Sequence, residues 1–179
     1  RFIVTLNVPN EYSTIQSALS AAGIGDTVLV QPGTYTENIV WPETNGIKLI
    51  SAGDSSNTII DGGGISSVIY INPQTATIDT TTLIKGFKII NGNNVKLGGG
   101  IYCKNAGIII DKTVIADNKV VGSGDVDGAG IFVENSIIKI KNSIIRNNIG
   151  DPTASSHGGG MWASSTFFIF ENVTFRANR

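Results

Sequence analysis

The sequence predicts a solenoid of parallel β-coils, one layer for roughly every 30 residues, and three observations predict it. First, a glycine triplet opens GGGIYC at Gly98, GAGIFV at Gly128 and GGGMWA at Gly158, each 30 residues after the last. Second, in that register the apolar residues fall into columns: Ile101, Ile131 and Met161; Cys103, Val133 and Ala163; Ile108, Ile138 and Phe168; Ile110, Ile140 and Phe170; Ile115, Ile145 and Phe175. Third, the columns within a unit lie two residues apart, the period of a strand and not of a helix. A unit of three short strands cannot bury its own inward face. Stacked on like neighbours at about 4.8 Å per layer, it shares a continuous core.

From the start of the chain, the first element differs from the rest. Between residues 13 and 22 the apolar positions Ile15, Ala18, Leu19 and Ala22 make a helical stripe. Ser13 or Thr14 is placed to cap it and Gly23 follows it, so a helix is expected to cover the open end of the first coil. Strands follow at 28–30, 39–41, 47–50 and 58–60. Ile69, Tyr70 and Ile71 then match Ile101, Tyr102 and Cys103 across 32 residues, the extra length falling in the polar stretch 74–82. The count comes to about five coils in a single domain spanning 1–179. The last coil ends without a covering segment, and the chain is expected to be the N-terminal part of a longer protein.

Composition narrows the function. Thirteen Lys and Arg against 14 Asp and Glu give a net charge of −1 with no basic run, so nucleic acid is not an expected partner. The apolar runs are too short to span a membrane. One cysteine excludes an internal disulfide framework, and Cys103 is expected to face the core as a small hydrophobe. The 22 glycines, well above average usage, find their place in the triplets where each coil begins.

The segment VPNEYSTIQSALSAAGIGDTVLVQPGTYTENI resembles the N-terminal entry of right-handed parallel β-helix proteins of the pectin-lyase-like superfamily. GGGIY followed by the Asn-Ser-Ile-Ile-Arg-Asn-Asn pattern resembles the glycine-rich repeats of bacterial secreted β-helix proteins and outer-membrane passenger domains. The resemblance covers essentially the whole chain. It implies a right-handed coil, as parallel crossovers prefer, and an extracellular or cell-surface location. It leaves activity open, because the superfamily contains lyases, hydrolases, esterases, binding proteins and adhesins. Gly33-Thr34-Tyr35-Thr36-Glu37 matches the G-x-Y-x-E element of pectinesterases, but the later motifs that carry their catalytic Asp and Arg have no counterpart here. The element is therefore read as structural.

No catalytic residue is assigned. Asp111, Lys141 and Glu171 share an outward column of alternating sign, and Lys104 lies beside Glu134. Arg146 and Arg176 stack as like charges with Asp117 and Asn147 one position on, which is either a lyase remnant or a solvated face. The loops 122–127 and 149–157 bring Asp125, Asp127, Asp151 and His157 to one side. Oxygen ligands on glycine-rich loops suit Ca²⁺, but two or three carboxylates at this spacing match no tight calcium motif, and a hydrated loop pair is expected. The Asn118, Asn148 and Asn178 column reads as an amide ladder at a turn.

The candidate ligand-binding residues are Tyr70, Tyr102, Phe132 and Trp162, one outward aromatic column. Flat aromatics stack on pyranose rings, and a row of them would follow an extended glycan. The competing reading is ring-on-ring stacking that stabilises the solenoid. The leading expectation is a secreted or surface β-helix with a passive role, binding polysaccharide or serving as scaffold or adhesin. A polysaccharide lyase or related carbohydrate-active enzyme is the alternative, and end-to-end assembly into a filament the third.

Overall fold

The computed structural model describes residues 2–94 and 96–179 and is all-β but for one short helix: parallel strands stacked as a solenoid of about five turns. The first face stacks Thr5–Val8, Thr27–Val30, Lys48–Ser51, Leu83–Lys85, Gly107–Asp111 and the opening halves of Ile137–Arg146 and Phe167–Arg176. The second stacks Gly33–Thr36, Thr58–Asp61, Lys88–Ile90, Val114–Ala116 and the closing halves of those two long strands. The third stacks Ile39–Val40, Ile69–Ile71, Ile101–Lys104, Ile131–Glu134 and Met161–Ser164. Every register pair expected from the triplet spacing is found, including Ile101↔Ile131↔Met161 and Ile110↔Ile140↔Phe170. The inward columns of Ile, Val and Leu form one buried core.

The turns between faces are made by left-handed residues that recur at the coil period. Asn105, Asn135 and Ser165 turn the third face into the first; Lys112, Asn142 and Asn172 turn the first into the second; Asp117, Asn147 and Ala177 leave the second. Asn dominates because its short amide tolerates a positive φ and bonds locally. Here the amides also bond along the solenoid axis, Asn135 Nδ2 donating to Asn105 Oδ1 at 2.8 Å and Asn172 Nδ2 to Asn142 Oδ1 at 3.1 Å. The first glycine of each triplet, Gly98, Gly128 or Gly158, is left-handed too, with φ of 61–64°.

The helix is Ile15–Ala21, capped by Thr14, whose side chain accepts the Ser17 N–H. Its Ile15, Ala18 and Leu19 face the core. Gln16 reaches across to the edge strand and pairs with Val40 as another strand would, accepting its N–H at 2.7 Å and donating to its carbonyl at 3.0 Å. That satisfies part of an otherwise open sheet edge. Glu37, last residue of the G-x-Y-x-E element, accepts the Ile15 and Gln16 N–H groups at 2.9 Å each, and the Tyr35 hydroxyl donates to the Gln31 carbonyl at 2.9 Å. The element seats the covering helix, as its structural reading requires.

Glu43 holds the start of the polar stretch 74–82 in a similar way. Its carboxylate accepts the N–H groups of Gln74, Ala76 and Thr75 at 2.7, 2.8 and 3.1 Å, which lowers its pKa from 4.5 to about 2. Because the folded value is depressed, this cradle contributes fully above the unfolded glutamate value and is lost only as pH falls through about 2. The amide resonances of Gln74–Ala76 should therefore stay constant from neutral pH down to about 4 and move together with a midpoint of about 2. A midpoint at the ordinary 4.5 would show that the cradle does not form.

Candidate functional site

The strand period that sends Ile101 and Cys103 inward sends Tyr102 outward, and parallel register repeats this on each coil. Tyr70, Tyr102, Phe132 and Trp162 are consecutive register partners, with Val40 preceding them. Their rings lie face to face: Tyr70 to Tyr102 at 4.7 Å and 14°, Tyr102 to Phe132 at 5.1 Å and 14°, Phe132 to Trp162 at 4.7 Å and 5°. The coil pitch sets this separation, since each ring inherits the spacing of its backbone. Both faces of Tyr102 and Phe132 are thus occupied by their neighbours, and Phe132 is only 3% exposed. Tyr70, Tyr102 and Trp162 are half-buried. The side of the column presents ring edges and two phenol groups.

Polar side chains run beside the rings. Asn72 Nδ2 donates to the Tyr70 hydroxyl at 3.1 Å, and Lys104 pairs with Glu134 at 2.5 Å. Burial and then the neighbouring Tyr70 push the Tyr102 phenol up, and the Glu134 bond holds the Lys104 ammonium above its ordinary value. Beneath the column Cys103 is fully buried, its thiol pushed up to about 12 by desolvation, which removes it from nucleophilic chemistry.

Elsewhere the outward charges are matched much as their columns suggest. Lys139 and Lys141 meet Glu171 at 3.3 and 3.8 Å, and Lys85 lies 4.0 Å from Asp111. The acidic loops do come together, Asp125, Val126 and Asp127 pairing with Ser155, Ser156 and His157. His157 Nδ1 is 3.0 Å from Asp127 Oδ1, and a small apolar cluster of Val120, Val126 and Ala129 lies beneath. Asp151 turns onto its own loop instead, accepting from Thr153 N–H and hydroxyl, and reaches the Gly122 N–H at 3.2 Å. Those bonds hold its carboxyl below the usual range. Among the described residues no three His, Cys, Asp or Glu side chains converge as a metal site would require. Arg146 and Arg176 are register partners as expected, while the Asp117 carboxylate accepts from Asn147 Nδ2 at 3.2 Å.

The amide column is a buried ladder. Asn118 and Asn148 each donate both backbone N–H and Nδ2–H to the Oδ1 of the next Asn, at 3.0–3.1 Å, and the three Nδ2 groups also donate to the carbonyls of Ile89, Ile115 and Ile145. The sequence did not reveal that this ladder lies against the third glycine of each triplet. A Cβ on Gly100, Gly130 or Gly160 would come within 2.8–2.9 Å of the Nδ2 of Asn118, Asn148 or Asn178. A comparison with protein-family models gives no match to this chain, and no curated protein matches its sequence.

Proposed function

We propose that this chain is a non-catalytic β-helix of the pectin-lyase-like type, acting as an extended scaffold or adhesin of a secreted or cell-surface protein. The observation that carries this reading is the aromatic column: four rings that would make a glycan platform if splayed are stacked on one another instead. Their contribution, about 0.5–1.5 kcal/mol per pair beyond burial, goes into joining coils. The matched charge columns act in the same sense, fixing register along the outside.

A second reading, polysaccharide binding by the same column, is favoured by one feature. The Tyr70 and Tyr102 phenols lie along the side of the column, where they can meet the hydroxyls of a sugar. Incubation with polygalacturonate and neutral glycans, with and without Ca²⁺, separates the readings when retention and the absorbance of unsaturated products are both followed. The scaffold reading expects no product, and any retention unchanged by Trp162→Ala. It also expects Phe132→Ala to cost about 3 kcal/mol and Trp162→Ala far less, since only the first empties a buried site. Retention abolished by Trp162→Ala would favour glycan binding, and release of unsaturated product would overturn both.

A further inference from the structure

The second face carries cations that nothing among the described residues neutralises. Arg146 and Arg176 are stacked one coil apart, and neither guanidinium makes an ion pair or hydrogen bond among the described residues. Lys88 has no such partner either. This sets them apart from Lys85, Lys104, Lys139 and Lys141, each of which meets a carboxylate. Asp54, on the loop that carries Ser55 and Ser56, is engaged with the Ser56 N–H and hydroxyl.

These cations border a groove of about 370 Å³, within the range of ligand clefts (about 300–1,000 Å³). Its floor is one outward column, Ile59, Lys88, Val114 and Ile144, three aliphatic side chains interrupted by the lysine. Arg146 and Arg176 stand two residues along the strand from that column, about 7 Å to the side. Ser55 and Ser56 close the other end. From the coil of Ile59 to that of Arg176 there are four layer steps, so the groove runs along the solenoid axis for about 19 Å. An apolar floor with Lys88 in it and two arginines, one coil apart, beside it is complementary to an extended polymer with apolar ring faces and spaced anions.

We infer that this groove binds a sulfated polysaccharide, its sugar rings lying on Ile59, Val114 and Ile144 and its sulfate groups on Lys88, Arg146 and Arg176. A sulfate ester stands off its ring on a C–O–S arm and so reaches the displaced arginine column while the ring keeps the floor. A ring-bound uronate is held closer to its own ring. The planar guanidinium fork matches two oxygens of such a group. The site is on a different face from the aromatic column and does not depend on how that column is read.

The test is binding of dextran sulfate to the whole chain by fluorescence polarisation, with neutral dextran, polygalacturonate and polyglutamate as comparison arms. Dextran sulfate should bind, neutral dextran should not, and polygalacturonate should bind about tenfold or more weakly. Arg146→Gln with Arg176→Gln should weaken dextran sulfate binding at least about tenfold and flatten its salt dependence, because fewer counterions are released. Lys88→Gln, two coils away, should act in the same direction, and Lys139→Gln, at a first-face cation that already meets Glu171, should leave binding unchanged. No binding of dextran sulfate, or unaltered binding by the groove variants while their thermal melts match the parent, would overturn the site. Equal or tighter binding of polygalacturonate would overturn the sulfate assignment. Equal binding of polyglutamate would replace the glycan with an acidic peptide.

Discussion

Replacing Asn148 with Ala should destabilise the protein by about 4 kcal/mol, the sum of several buried polar groups losing partners at about 1–3 kcal/mol each. Asn148 is fully buried and central in the ladder. Its Oδ1 accepts both the backbone N–H and the Nδ2–H of Asn118, and its own Nδ2 donates to the Ile115 carbonyl and to Asn178. Alanine leaves two donors of the fully buried Asn118 without their acceptor. Asn147, the preceding residue, supplies the control. It is left-handed, half-buried, and makes one amide bond, to Asp117. Asn147→Ala should cost only about 1 kcal/mol, mostly for an alanine in a left-handed turn. Urea unfolding of the two variants decides the matter, and equal losses would show that the ladder is not a buried network.

Gly130→Ala should cost about 3 kcal/mol or more, and for the same structural reason. A Cβ there would lie 2.3 Å from the Gly160 carbonyl oxygen and 2.8 Å from Asn148 Nδ2, so a backbone atom or the ladder itself must move. In the GAG repeat the middle position does hold a Cβ, Ala129 lying buried against Val120 and Val126, whereas at Gly99 and Gly159 a Cβ would collide with the Lys119 and Arg179 carbonyl oxygens. Gly124→Ala is the comparison: its φ of +88° brings strain, but a Cβ would meet nothing within 4 Å, so the cost should be about 1 kcal/mol. Because Gly130 and Asn148 share one contact, Gly130→Ala and Asn148→Ala should be less than additive in a double-mutant cycle. Additive losses would separate the two columns energetically.

Most of the architecture was legible because a solenoid repeats its local rules. The triplet spacing set the register, and the register then aligned Ile101 with Ile131 and Tyr102 with Phe132 before any coordinates were needed. The helix was marked by its stripe, and its extent shrank only at the ends, to Ile15–Ala21 with Thr14 as cap. The corners were harder to read. Asn105, Asn135 and Asn142 carry the usual signal for a left-handed turn, but Lys112, Ser165 and Ala177 occupy the same corners without one. Those residues are held there by the coils stacked on them, not by their own preferences. Glu43 was silent, and Glu37, though marked within its element, gave no sign of its partners, since each binds backbone N–H groups that are distant in sequence.

The candidate site divides along the same line. That Tyr70, Tyr102, Phe132 and Trp162 share one outward column follows from period-two alternation and the coil repeat, both properties of the chain alone. Whether their faces would meet a sugar or one another depended on side-chain rotation at the coil pitch, which only the assembled layers fix. The cations show this too: like charges at 146 and 176 could be read from the sequence, but not the aliphatic floor beside them or the want of a carboxylate partner. The sequence by itself determined the period, the faces and the columns, because a repeated strand pattern allows one register that buries its apolar side. The tertiary structure decided which outward groups neutralise one another and which remain open, because that depends on the close approach of side chains from different coils.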